Sequence, residues 1–366
     1  MIRRAGLLDA LRFRAVARLL LPHGRARGGP VRLTVAVLDR LADRYGDAVW
    51  VPGPAGPVLV PLGAPGVRRL LGARWSYGSA HLDTARRVIG EEIGRLLGAR
   101  RILTRAVFQN AVDRIARRIT LGDPAADDTE ITGLYLELRA LGPHALGDRT
   151  GTARARHARA VRDRLADRVA AHLGTAAPGS LAETAAGDPE PGTVPTGQVA
   201  HWFLAFDLLA DAALTTLVVL AGEPDLADRV RKDPDVARDC VGETLRLWPA
   251  ARDLYRETGR ELDWDGEVLP AGTPVLVPTV FGHRDRSAVA EPDAYLPDLR
   301  APHPEAGFFP FPLGTGEDLG LWLTAEVVGQ LVGRAGFRLL SAGLPVRGPL
   351  PRALDPGAFR LAVSER

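Results

Sequence analysis

Two acids four residues apart, Asp207 and Asp211, interrupt an otherwise apolar run from Val199 to Gly222. On a helix that spacing puts both carboxylates on one face. Two carboxylates within about 6 Å in a buried place push at least one pKa up, so they call for a cation, a metal or a proton. Such a pair suits acid/base chemistry or an Mg²⁺ ion held through oxygen ligands. Trp202, Phe203, Phe206 and Leu208 stand beside them as apolar walls. Further along, Glu317 and Asp318 follow Gly314-Thr315-Gly316. No Gly-Lys-Ser/Thr follows those glycines, so they do not form a phosphate cradle. The plainer reading of Asp207 and Asp211 is that each pairs with an arginine of a neighbouring helix. The chain has 47 basic side chains, and all but Lys232 are arginine.

Other groups carry less. Asp123 to Glu130 reads as a solvated acidic loop, and Asp263-Trp264-Asp265-Gly266 as a hairpin turn. His201 and His283 have no partner at ligand spacing, and no Ser/His/Asp order suggests a triad. The 366 residues carry a net charge of +3, with basic residues dispersed among acids. That dispersion argues against a nucleic-acid footprint. The one cysteine, Cys240, excludes an internal disulfide and a four-cysteine zinc site. It suits a reducing cytoplasm. Met1 to Gly24 is basic and amphipathic without the apolar core of a signal peptide. It reads as a helix docked on the body, or one that meets a membrane surface or a partner. Charges in mid-span make the run from 199 to 221 a central helix buried in protein rather than lipid.

The elements that must position these groups follow from pattern. Helical periodicity from Thr34 to Tyr45 stops at Gly46. Val49–Val51 and Val58–Leu62 flank a Pro/Gly turn and read as a hairpin. Successive helices are expected from about 66 to 173. Residues 174–197, rich in Gly, Pro, Ala and Thr, read as a lid or linker. A helix is expected over 237–247, strands over 262–277, irregular chain over 282–320, a helix over 321–333 and strand-like segments over 337–344 and 359–363.

An ordered series of motifs then gives the chain a resemblance. Glu243-Thr244-Leu245-Arg246 leads into Leu247-Trp248-Pro249, with Arg256 ten residues past Arg246. His283-Arg284-Asp285 and Glu291-Pro292-Asp293-Ala294-Tyr295 follow, then Phe309-Pro310-Phe311-Pro312-Leu313-Gly314. In this order the segment resembles the cytochrome P450 family of haem-thiolate monooxygenases. The resemblance implies a single, mainly α domain over 1–366 with a small β-rich lobe from 49–62 and 262–277. It makes Glu243 and Arg246 a buried architectural pair completed by Arg300 or Arg284.

The chain departs from the family where the chemistry lies. In the stretch 311–320 the family's cysteine position holds Asp318, so this is a degenerate haem loop. The threonine expected after Asp207 is Leu208, and no Trp-x-x-x-Arg propionate clamp appears between His81 and Arg118. Arg256 alone does not make a haem site. No haem is therefore expected, and Mg²⁺ is the cofactor that Asp207 and Asp211 would take. The resemblance implies a haem-less protein of natural-product metabolism. Its first reading is a redox-neutral cyclase or isomerase acting on a hydrophobic terpenoid or polyketide-like substrate through Asp207, Asp211 and Asp318. The second is a non-catalytic auxiliary protein that binds a partner glycosyltransferase, as some haem-less relatives do. The third is a haem monooxygenase with unusual ligation.

Overall fold

The computed structural model describes residues 2–6, 8–13, 28–52, 57–62, 79–141, 152–173, 178–183, 195–250, 253–264, 266–286, 289–299, 317–341, 350–351 and 353–365. Apolar composition on every side makes the segment Pro195–Gly222 a buried helix rather than a surface one. This helix, α6, is the axis around which the other long helices pack. Before it come α1 (Gly28–Tyr45), α2 (Ser79–Ala99), α3 (Arg105–Leu121), α4 (Thr129–Leu141) and α5 (Ala153–Leu173). After it come α7 (Pro224–Lys232), α8 (Pro234–Leu247), the short α9 (Thr279–Gly282) and α10 (Glu317–Arg334). α6 packs on α3, α10 and α8, and these elements bury the main core, with Leu214, Leu217, Val241, Val328 and Leu331 sealed inside.

Helix ends follow local chemistry. Thr104 caps α3, its hydroxyl accepting from the Val107 amide at 3.3 Å. Asp233 caps α8 ahead of Pro234 at the first helical position. α1 stops at Gly46, whose φ of 79° is the left-handed stop that glycine adopts without strain. The window Ala205–Gly222 is long and apolar enough to cross a membrane, but 72% of it is buried inside the protein.

The β lobe joins distant segments. The strands β1 (Arg3–Arg4), β2 (Ala48–Pro52), β3 (Pro57–Pro61), β5 (Leu254–Glu257) and β8 (Pro274–Val277) form one sheet in the order β1-β2-β3-β8-β5. The hairpin registers Val49 on Val60, and β3 meets β8 at Leu59 and Val275. β6 (Leu262–Trp264) and β7 (Glu267–Leu269) form a separate hairpin. β4 (Ile102–Thr104), β10 (Arg360–Ser364) and β9 (Gly336–Leu339) make a third sheet that ties the chain's end to the start of α3.

The expected architecture, mainly helical with a small β-rich lobe from 49–62 and 262–277, is the observed one. The boundaries differ in places. β5 was not expected, because its alternation is too short to stand out. α6 begins at Pro195 rather than 199, inside the segment read as a linker, and 181–183 are helical too. Proline fits the first turn, where its missing N–H costs no bond. The last helix begins at Glu317 rather than 321, which puts Glu317 and Asp318 in its first turn. Residues 311–316 of the degenerate haem loop lie outside the described residues.

Candidate functional site

One stripe of α6, Leu208, Asp211, Ala212 and Thr215, has the i, i+3, i+4, i+7 spacing of a single helix face. It forms one wall of a pocket of about 210 Å³ that is partly open to solvent. Leu245 and Trp248, at the end of α8, form the facing wall with Pro249 and Ala250. Pro249 explains why α8 ends there, since the residue before a proline is pushed out of the helical region. Trp248 takes φ −132° and ψ 75°. Its indole Nε1 donates to the Pro351 carbonyl at 2.8 Å, which fixes the ring against the chamber. Val280 of α9 and the segment with Ala353, Leu354 and Pro356 close the remaining sides.

The two acids of α6 do not converge on this space. Asp207 is 5% exposed and is ion-paired with Arg139 of α4. It lies off the lining stripe. Asp211 lines the pocket, and its Oδ1 accepts from Arg105 Nε at 2.7 Å, with both side chains partly exposed. Each carboxylate thus meets an arginine from a neighbouring helix, as the plainer reading expected. α4 supplies one cation and α3 the other. Among the described residues, no three His, Cys, Asp or Glu side chains gather as a metal-ligand set. The backbone of Asp318 is in the first turn of α10, and its side chain lies outside what is described.

Of the expected apolar walls, only Leu208 lines the pocket. Phe203 and Phe206 are buried in the main core instead, and the Phe203 ring sits 5.8 Å from that of Tyr135. Trp202 packs part-buried on the same core. These three fall on faces of α6 turned toward other helices, a distinction that an all-apolar run does not show. Thr215 also lines the pocket, and its hydroxyl donates back to the Asp211 carbonyl at 2.7 Å. Arg256 lies on β5 and is exposed. The pocket residues that sequence reading missed, Leu245, Trp248, Val280 and Leu354, come from segments up to 146 positions from Leu208. The Trp-Pro break after α8 is the one local signal that marked any of them.

A thiolate-ligated haem needs an ionised cysteine. Cys240 lies within α8, fully buried, and burial pushes its thiol up to about 12. The Tyr295 hydroxyl donates to the Cys240 carbonyl at 2.8 Å and seals that side. A buried, protonated thiol is packing material, so the donor set does not fit a thiolate-ligated haem.

No family model matches the chain. Among curated proteins it is 29% identical over 213 residues to rice cytochrome P450 714D1, covering 46% of this chain and 37% of that protein. It is 33% identical over 130 residues to a C-19 steroid 1α-hydroxylase of Sorangium cellulosum, covering 36% and 31%. It is 32% identical over 91 residues to the cytochrome P450 family protein EryCII of Saccharopolyspora erythraea, covering 25% of each. The chain thus matches well under half the length of these relatives. In structure it is similar to retinoic acid-bound cyanobacterial CYP120A1, with TM-score 0.69, 14% identity, and 96% of each chain covered. It is also similar to a zebra fish cytochrome P450 with progesterone, with TM-score 0.66, 17% identity, and 90% and 99% covered. Glu243 and Arg246 form a buried ion pair on α8, and with the helical body and the β lobe these likenesses give the chain the cytochrome P450 fold and a sequence relationship to that superfamily.

Proposed function

We propose that this protein is a haem-independent, P450-fold receptor for a hydrophobic small molecule of natural-product metabolism. The observation that carries the reading is the pocket beside α6, walled by Leu208, Leu245, Trp248 and Val280, together with the engagement of both α6 acids by arginine. A carboxylate that already accepts a guanidinium hydrogen bond has one oxygen fewer to offer a reacting proton. General acid/base work needs such a group within hydrogen-bond reach of substrate, and Asp207 is off the pocket wall. Recognition of an apolar ligand needs only shape, burial and one or two polar contacts. Leu208 stands where the resemblance implies a proton-carrying threonine, and Asp318 where it implies the thiolate. Both favour binding without oxygenation. The protein then serves as an auxiliary subunit, and the resemblance to haem-less relatives makes a glycosyltransferase the partner we favour, in the cytoplasm.

A second reading, a redox-neutral cyclase or isomerase, draws support from Asp211, whose carboxylate is on the pocket wall. In that case Asp211 would act on substrate directly, with Mg²⁺ as an optional partner.

Purification from cells with ample haem supply, followed by an absorbance scan, tests the reading. A colourless protein is expected, with no Soret band and no 450 nm band after reduction under carbon monoxide. Stoichiometric haem would overturn it in favour of unusual ligation. Added to a glycosyltransferase of a natural-product pathway, the chain is expected to accelerate glycosyl transfer. Conversion of a terpenoid or polyketide by the chain alone would instead establish the second reading, and loss of that conversion in chelator would assign it to a metal.

A further inference from the structure

The sheet of β4, β10 and β9 has one dry face and one wet face. On the dry side Leu361 of the central strand stands between Leu103 and Leu339, with Leu361 and Leu103 fully buried. Side chains alternate across a strand, so Arg360 and Ala362 point the other way. The register sets Ile102 on one side of Ala362 and Arg338 on the other. It sets Thr104 beside Arg360, and the Leu340 amide extends the ladder by donating to the Arg360 carbonyl at 2.8 Å. The wet face therefore alternates aliphatic and cationic groups, Ile102 with Arg338 in one row and Leu340 with Arg360 in the next. Ile102 is 48% and Leu340 43% exposed. Arg338 and Arg360 are exposed, and among the described residues neither has an ion-pair partner. Glu365, just past the end of β10, is taken by Arg101 at 2.5 Å. Like charges on diagonal positions of neighbouring strands repel. A charge can guard an open sheet edge, but β10 is the central strand, so Arg360 guards none.

We infer that this face docks an acidic protein surface whose carboxylates flank an apolar patch, and that the partner enzyme meets the chain here. This rests on the auxiliary reading proposed above. Carboxylates of the partner pair with Arg338 and Arg360, whose planar forks suit them, while Ile102 and Leu340 lose water against the apolar patch. A second copy of this chain does not fit, because two such faces would set arginine against arginine. A phosphate backbone would satisfy the cations and leave both aliphatic groups in water. An anionic bilayer offers both kinds of contact, but a peripheral element must sink its apolar side chains about 5–10 Å into the lipid boundary. Ile102 and Leu340 lie on a sheet face and are about half covered where they stand, which suits a protein surface laid flat against them.

The probe is the purified natural-product glycosyltransferase used to test the proposed function, with sedimentation velocity reading the complex and the rate of glycosyl transfer reading its effect. Affinity should fall about tenfold or more as salt rises from about 0.05 to 0.5 M, since exposed charges are screened. The double variant Arg338→Glu with Arg360→Glu should bind at least about 100-fold more weakly, because it sets like charges against the partner. Ile102→Ser with Leu340→Ser should cost about tenfold through lost apolar contact. Arg159→Glu with Arg260→Glu, a reversal of two exposed arginines away from this sheet, should bind as the unmodified chain does. Neither sheet variant touches the dry face, so both should keep the urea midpoint of the unmodified protein. A complex that ignores salt overturns the inference, as does one that survives the Arg338 and Arg360 reversal. Transfer accelerated by the sheet variants as by the unmodified chain leaves the auxiliary reading standing and removes only this surface. Phosphatidylglycerol vesicles that bind the unmodified chain and release the arginine variant would overturn it in favour of a lipid surface. If the unmodified chain neither binds nor accelerates the transferase, the auxiliary reading fails and this inference falls with it.

Discussion

Arg246 holds Glu243 at two points, Nε to Oε2 at 2.7 Å and Nη2 to Oε1 at 2.6 Å, with both side chains sealed from water. The remaining guanidinium donors reach the carbonyls of Pro292 and Ala294, each at 2.7 Å. Glu243 Oε1 also accepts from the Leu296 amide at 2.7 Å. The pair thus welds α8 to the chain that follows α9, and α8 carries Leu245 on the pocket wall, with Trp248 just beyond its end. Arg284, one of two arginines expected to complete the cluster, pairs with Asp293 at 2.6 Å and donates to the Leu247 carbonyl at 2.7 Å instead. Arg300 lies outside the described residues. Among the described residues, backbone carbonyls take the remaining donors of Arg246, because the irregular chain wraps α8 closely enough to present them.

Arg246→Ala should therefore cost about 3–5 kcal/mol, since it strands a buried carboxylate. Cys240, two turns earlier on α8, supplies a direct readout. Burial holds its thiol up at about 12, so it should resist a disulfide reagent at pH 8 in the unmodified protein and react once α8 loosens. The expected result is a lower urea midpoint together with rapid Cys240 labelling. An Arg246→Ala protein with the original midpoint and a protected thiol would show that the pair is not architectural.

The architecture was legible because its signals are local. Turn residues mark the 49–62 hairpin, apolar length marks α6, and the Glu-x-x-Arg spacing marks a one-turn ion pair. The pocket was only half legible. An apolar run names a buried helix without saying which face meets solvent, a ligand or another helix. Phe203 and Phe206 went to the core, and Leu208 to the pocket, on chemistry that looks the same in sequence. The partners of Asp207 and Asp211 could be given by type but not by number. Arg139 and Arg105 are 68 and 106 positions away, and one-dimensional spacing carries no trace of them.

Asp207 and Arg139 make an unequal pair, and the inequality can be measured. Asp207 is 5% exposed, whereas the Arg139 side chain is 46% exposed. Removing the cation leaves a buried charge, so Arg139→Met should cost about 3 kcal/mol, the low end for a broken buried pair because water reaches one partner. Asp207→Asn keeps the volume and an acceptor for Arg139, and should cost about 1 kcal/mol. The double variant should recover stability relative to Arg139→Met alone. Urea denaturation of the three variants checks the order. If Asp207→Asn proves the more damaging, Asp207 has a further buried partner that the ion pair does not explain.

His283 gives the fold a pH dependence with a definite sign. It is 3% exposed, and burial drives its imidazole down to about 3, only partly opposed by hydrogen bonds to the backbone of Leu245 and Arg246. The nearby Arg246 and Arg284 guanidinium groups push the same way as burial. In the unfolded chain the ring titrates near 6.5. Between those values the unfolded state binds a proton that the native state refuses, so stability rises with pH across the window. The contribution is fully present above about 6.5 and drains away as pH falls toward 3. The slope is about 1.4 kcal/mol per pH unit for one group. Asp123 and Asp128, whose carboxyls lie below the usual carboxylate range through bonds to Arg118 and to Arg168 and His172 despite the opposing effect of burial, act in more acidic solution. Burial raises the Asp113 carboxyl toward the interval from about pH 4.5 to 6, so the histidine is isolated there by comparison with a variant that lacks it. Urea titrations across that interval should show the unmodified protein losing about 1.4 kcal/mol per unit more than His283→Gln, which has no proton to gain. The variant will start less stable, since glutamine fits the imidazole's place imperfectly, but the comparison is between slopes and not between midpoints. Parallel slopes would mean that His283 accepts its proton in the folded state, and that the packing of α8 against the chain after α9 opens to let it do so.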